Sequence, residues 1–227
     1  MFPNTEWTEL ARASLHGDEA GRAALEAMCR AYWEPVRQYT LSRGWPQDEA
    51  ADLAQSFFLY LMEKGVLHKA EREKGRFRSF LMGVLNHFLL TERDRRRAQK
   101  RGSGLDSAEL HDDLPSDDAG AELEFDRQWA VAIMQTALQK VTAECAAKRG
   151  DAAAGILVVF IGGKGELIRQ DQAAERLGMN MNTLRTEIFQ WRQKLREHLR
   201  AEVRRTVSAP HEVDAEMNYL WQLLTAA

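Results

Sequence analysis

"FRSFLMGVLNHFLLTERDRRRAQKR", Phe77 to Arg101, is the stretch that decides the fold class. Its first half places Phe77, Phe80, Leu81, Val84, Leu85 and Phe88 at i, i+3, i+4, i+7, i+8 and i+11. At helical pitch these positions line one stripe, whereas a strand scatters them over both faces. A helix here buries one side. The three phenylalanines read as core residues, with stacking on an unpaired base as the alternative use of an exposed ring. The second half continues the helix as Arg93, Arg95, Arg96, Arg97, Lys100 and Arg101, a basic arm that attracts polyanions. Polar Asn86 and His87 stand between the halves.

The same period extends to both sides. Leu53, Ala54, Phe57, Phe58 and Leu61 share a stripe, as do Ala130, Ile133, Met134, Ala137, Leu138 and Val141. The longest apolar run, "GILVVFI" at Gly155 to Ile161, falls far short of the roughly 20 residues a membrane span needs. With no partner strand evident it reads as a buried helix, so the class is all-α. Beyond the basic arm lies "GSGLDSAELHDDLPSDDAGAELEFD", Gly102 to Asp126, which holds many carboxylates and no basic residue. That composition buries too little apolar surface to offset chain entropy and predicts an acidic flexible linker. The expected organisation is two small helical domains: 1–101, the linker 102–126, a C-terminal domain 127–205, and an amphipathic tail 206–227. The net charge of -3 therefore conceals segregated signs.

Several function classes find no support. The N-terminus "MFPNTEWTEL" has neither a basic flank nor an apolar signal core, which predicts a cytoplasmic protein with no membrane span. Cys29 and Cys145 lie far apart and read as apolar fillers. The histidines lack ligand spacing, so no metal site and no cofactor is expected. "GGKGE", Gly162 to Glu166, lacks the P-loop spacing and reads as a turn between helices. No nucleophile elbow and no carboxylate cluster on a shared helical face is visible, and the chain is expected not to be an enzyme.

The most informative local pattern is "DQAAERLGMNMNTLRTEIFQWRQKLREHLR", Asp171 to Arg200. It reads as helix, tight turn, helix. Ala174 is small enough for two helices to cross closely. Leu177 closes the first helix, Gly178 takes the left-handed conformation of the turn, and Asn180 caps the second helix. Leu184, Ile188, Trp191, Leu195 and Leu199 form the inward stripe. Asn182, Thr183, Arg185, Thr186 and Gln190 form the outward face. In a helix-turn-helix that face enters the major groove, where Asn and Gln suit adenine and Arg suits guanine. Arg192, Lys194, Arg196, Arg200, Arg204 and Arg205 then stand where phosphates pass. The alternative is a helical hairpin with a solvated polar face.

Together these residues resemble a bacterial RNA polymerase sigma factor of the extracytoplasmic function (ECF) group, nearest the branch common in planctomycete-type bacteria. Four segments carry the resemblance: "FPNTEWTEL"; "AMCRAYWEPVRQY" with "GWPQDEAADLAQSFFLYLMEK"; "EKGRFRSFLMGVLNHFLLTERDRRRAQKRG"; and "AAERLGMNMNTLRTEI". They stand in the family's order and cover most of the chain outside the linker. The resemblance implies that the first domain binds the clamp helices of the largest polymerase subunit, at Asp52, Leu53, Gln55 and Phe58. It implies capture and melting of the promoter minus-ten element by Asn86, His87, Arg93, Arg95, Arg96 and Arg97. The second domain is implied to read the minus-thirty-five element through Asn182, Thr183, Arg185, Thr186 and Gln190. Asp106, Asp112, Asp113, Asp117 and Asp118 fit, by charge, a linker that runs through polymerase channels. Implied partners are core RNA polymerase and promoter DNA, with an anti-sigma factor as a candidate regulator. Many relatives have Arg-Asn where this chain has Asn86-His87, which bears on the base that a flipped-base pocket takes. Minimal members end near Arg205, whereas here a stripe of Val213, Met217, Leu220 and Leu224 follows. That tail is expected to dock on the second domain, or else to mask a polymerase- or DNA-binding surface. The competing reading of the whole chain is a stand-alone helix-turn-helix regulator, with the first domain serving a ligand or dimerisation.

Overall fold

Helical periodicity and two glycine turns account for the chain path in the computed structural model, which describes residues 19–63, 77–102, 118–162, 168–207 and 209–226. Among these residues every regular element is helical. In order they are α1 (Glu19–Ser42), α2 (Gln47–Glu63), α3 (Phe77–Gly102), α4 (Asp118–Arg149), α5 (Asp151–Ile161), α6 (Gln170–Arg176), α7 (Met181–Arg204), a single 3-10 turn (Pro210–Glu212) and α8 (Val213–Thr225). The all-α class read from the period is the one that forms. The described residues divide into two compact units. One runs through Ala132 and resumes at Arg205; the other is Ile133–Arg204.

In the first unit, α1 stops because Gly44 adopts φ 80°, a conformation that costs a residue with a Cβ. The Gly44 amide then bonds the Leu41 carbonyl at 2.9 Å and the Trp45 amide bonds the Thr40 carbonyl at 3.4 Å. These two bonds satisfy carbonyls that the helix end leaves open. The Pro46 carbonyl accepts the amides of Glu49 and Ala50 and starts α2. Tyr32, Val36 and Tyr39 of α1 pack with Leu53, Ala54, Phe57, Phe58 and Leu61 of α2 and Phe77, Leu81, Leu85 and Phe88 of α3, all buried. Edge-to-face and tilted ring pairs, Tyr32–Phe77 at 5.3 Å and Phe57–Phe88 at 5.5 Å, add to the area buried. Phe80 and Val84 lie half-buried at the edge of the α3 stripe.

The acidic stretch is only partly a linker. Gly102 ends α3, residues 118–126 already belong to α4, and residues 103–117 lie outside the described residues. The correction has a physical cause. Phe125 is wholly buried, 5.9 Å from the Tyr39 ring and 6.4 Å from that of Tyr32, and Asp126 pairs with Arg78 at 2.8 Å. An apolar ring and an ion partner, far apart from it in sequence, hold a segment whose composition alone promises none. The boundary expected at residue 127 falls within α4, between Ala132 and Ile133.

The expected docking of the tail on the second domain is also corrected. Residues from Arg205 onward belong to the first unit. There α8 buries Val213, Met217, Leu220 and Leu223, while Leu224 is half-buried. Its anchor is Arg78, which is 2% exposed. The Arg78 guanidinium ion-pairs with Glu216 as well as Asp126 and stacks against the rings of Trp129 (4.6 Å) and Tyr219 (4.7 Å). The Tyr219 hydroxyl donates to Asp126 at 2.6 Å. A buried charge is tolerated only when paired, and α3, α4 and α8 each supply part of that pairing.

In the second unit the C-terminal part of α4 runs antiparallel to α7. Polar pairs step along the seam in opposite numbering: Lys140 with Glu202, Glu144 with His198 (2.8 Å), and Arg149 with Glu187 (3.3 Å). On the same two helices Ile133, Ala137, Val141 and Cys145 of α4 and Leu184, Ile188, Trp191, Leu195 and Leu199 of α7 are buried. The apolar run 155–161 is helical, as read, within α5; residues 163–167, which hold most of "GGKGE", lie outside the described residues. The residues 2–10 named in the resemblance also lie outside them. No described helix is long and apolar enough to cross a membrane.

Candidate nucleic-acid interface

Two polar surfaces, one in each unit, hold the residues matched from the sequence to DNA contact. On the second unit the surface is built by a turn. α6 ends at Gly178, which has φ 62°. The Gly178 amide bonds the Glu175 carbonyl at 3.1 Å and the Met179 amide bonds the Ala174 carbonyl at 2.9 Å, the same closure as at Gly44. Two residues later the Asn180 side chain accepts the Thr183 amide at 2.8 Å and caps α7. At the start of α6, Arg169 hydrogen-bonds the Asp171 carboxylate and holds it below the usual carboxylate range.

This cap fixes the rotation of α7. Leu184, Ile188 and Trp191 face the core, so Asn182, Thr183, Arg185, Thr186 and Gln190 are exposed. The Thr183 hydroxyl donates to Asn180 and the Thr186 hydroxyl to the Asn182 carbonyl, so both keep acceptor lone pairs outward. Asn182, Arg185 and Gln190 have no side-chain hydrogen bond or ion pair among the described residues. Their donors and acceptors face water. Asn182, Thr183, Thr186 and Gln190 line a shallow groove with Asn180, Met181 and Glu187. One residue that the sequence reading missed shares this surface: Phe189, 62% exposed. The signal was available, since Phe189 falls off the inward stripe at helical spacing.

Farther along α7 the basic residues divide. Arg192 donates from Nε (3.1 Å) and Nη2 (2.9 Å) to the Phe160 carbonyl, closing the last turn of α5. This is a structural use for a residue assigned above to phosphate contact. Lys194, Arg196, Arg200 and Arg204 are exposed.

On the first unit the basic arm of α3 passes the corner between α1 and α2. Here too it divides. Arg93 donates to the Arg43 carbonyl and lies 5.8 Å from the Trp45 ring. Arg96 pairs with Glu49 and stacks on Trp45 at 4.5 Å. The inner pair is thus anchored. Arg95, 66% exposed in its side chain, meets Glu92 alone among the described residues, at 3.6 Å, a geometry worth little in water. Arg97 is half exposed beside Asp94 at 3.9 Å. Asn86 accepts from the Tyr39 hydroxyl at 2.7 Å, and His87 is exposed. A small pocket between Arg43, Trp45, Asn86, Leu89, Leu90 and Arg93 opens beside them. Trp45 and Glu49, which organise this corner, were not among the sequence candidates.

The residues matched to polymerase binding do not share a surface. Asp52 and Gln55 are exposed on α2, but Leu53 and Phe58 are core side chains, 7% and 3% exposed. Phe58 stacks on Trp33 at 5.9 Å. The exposed apolar neighbours on these helices are Leu59 and Trp33. Among the described residues no group of three or more His, Cys, Asp or Glu side chains is placed to hold a metal ion. Comparison with protein-family models, curated proteins and solved structures finds no match.

Proposed function

We propose that this chain is a sigma factor, a dissociable subunit that directs core RNA polymerase to particular promoters and assists opening of the minus-ten region. The observation that carries the proposal is the outer face of α7. Asn182, Arg185 and Gln190 stand exposed and, among the described residues, unpartnered behind a capped turn, with hydrogen-bonding groups of the kinds that read adenine and guanine edges. Exposed His87 and Arg95 on α3, the helix whose Arg93 and Arg96 line the Trp45 corner, support a second nucleic-acid surface on the other unit. The order of motifs along the chain supports joining the two surfaces in one promoter-binding subunit, with core polymerase as partner and an anti-sigma factor as candidate regulator. In this reading the protein acts in the cytoplasm and makes or breaks no bond. It holds a DNA backbone while bases leave the duplex, and unstacking of a few kcal/mol per base is offset by stacking of roughly 1–3 kcal/mol per base.

Run-off transcription with core polymerase and promoters from the source genome tests the proposal. Transcription that depends on the added protein, together with binding to core, is the expected result. Tight duplex binding without any affinity for core polymerase would instead favour a stand-alone helix-turn-helix regulator. Within the assay, Arg185→Ala is expected to shift preference at a single promoter position by about 1–3 kcal/mol, the worth of one base-edge contact. A uniform loss over all sequences would reduce Arg185 to a phosphate contact.

A further inference from the structure

We infer that Phe189 reads a thymine, its ring covering the 5-methyl group on the major-groove edge of the DNA that α7 engages. The inference rests on the DNA-binding reading given above. Phe189 is 62% exposed, more than any other large apolar side chain among the described residues. It contributes nothing visible to the core, which on this helix is filled by Leu184, Ile188, Trp191 and Leu195.

Its companions point to the ligand. Arg185 and Thr186 precede it by four and three residues, Asn182 by seven, and Gln193 follows by four, so all five share one exposed face. Four of these side chains offer hydrogen bonds, and one offers only carbon. A phosphate backbone has no use for the ring, and neither do the major-groove edges of guanine, adenine or cytosine. Thymine alone presents a methyl group there, and a phenylalanine is among the side chains that meet it. The spacing adds a register. Seven residues of helix advance about 10 Å, since each rises about 1.5 Å. At about 3.4 Å per base pair along the duplex axis, the thymine then lies within about three base pairs of the base that Asn182 contacts.

The test uses the full-length chain. Preferred duplexes are first enriched from a random-sequence pool, with core polymerase added. Each thymine of the enriched site is then replaced singly by deoxyuridine, which lacks only the methyl group. One replacement is expected to weaken binding about four-fold, the worth of one buried methyl-sized group. Phe189→Ala is expected to bind thymine and deoxyuridine alike at that position, with unchanged melting temperature, and Phe189→Leu to retain part of the discrimination. Indifference of the unaltered protein to every replacement overturns the inference, as does discrimination that survives in Phe189→Ala. So does a Phe189→Ala variant that keeps its methyl response but loses core polymerase, which makes the ring a protein contact. In those cases an enriched duplex still stands and the DNA-binding reading survives. Failure to enrich any duplex removes both.

Discussion

Arg95 and Arg96 are neighbours in the chain with different roles. A run of basic residues announces charge, but the sequence does not say on which side of the helix a tryptophan waits. Trp45 and Glu49 take Arg96, and Arg95 is left to solvent. Arg96→Ala is accordingly expected to lower the stability of the first unit by about 0.5–1 kcal/mol, read from a urea midpoint. Arg95→Ala should leave that midpoint in place and, if the chain binds DNA as proposed, reduce the salt slope of that binding by about one. Gly178 and Asn180 were legible from sequence because their demands are local: a left-handed turn wants glycine, and a free helix amide wants a short acceptor two or three residues away. Gly178→Ala should cost about 1 kcal/mol in the second unit, measured by thermal unfolding, because φ 62° crowds a Cβ against its own backbone. Leu53 and Phe58 show the opposite case. Their spacing already placed them on the inward stripe of α2, and a side chain committed to the core has little left to offer a partner.

At the scale of the element, helix existence followed from period, whereas helix extent did not. α3 and α7 declare themselves by unbroken apolar spacing over several turns. The start of α4 carries glycine and carboxylates and has no such signal. It is helical because Phe125 and Asp126 find Tyr32, Tyr39 and Arg78, partners that no sequence window around residue 125 contains. Phe125→Ala is therefore expected to destabilise the first unit by about 3–5 kcal/mol, as removal of a fully buried ring does, with loss of helical circular dichroism on warming as the readout. α7 has a buried face and an exposed one, so under the proposed function its outward residues can change DNA preference without touching the fold.

At the scale of the molecule, the segregation of charge was legible and the path of the chain was not. Composition separates a basic arm from an acidic stretch, but it cannot reveal that α8 belongs to the unit made by the first helices. The reason is the buried Arg78, whose partners stand on two elements remote from it in sequence. Arg78→Leu would leave Asp126 and Glu216 facing each other without a cation. A loss of about 3–5 kcal/mol is expected from denaturant titration, the cost of breaking a buried pair by removing one partner. Removing residues 208–227 should likewise loosen the first unit, seen as faster amide exchange in α1 and α3, while α5 to α7 keep their protection. Because α8 completes that unit, translation order matters. Until α8 has been synthesised, Arg78 lacks Glu216 and Tyr219, so helices made earlier wait for one made later, and a chaperone that shields nascent chains gains time to act on them.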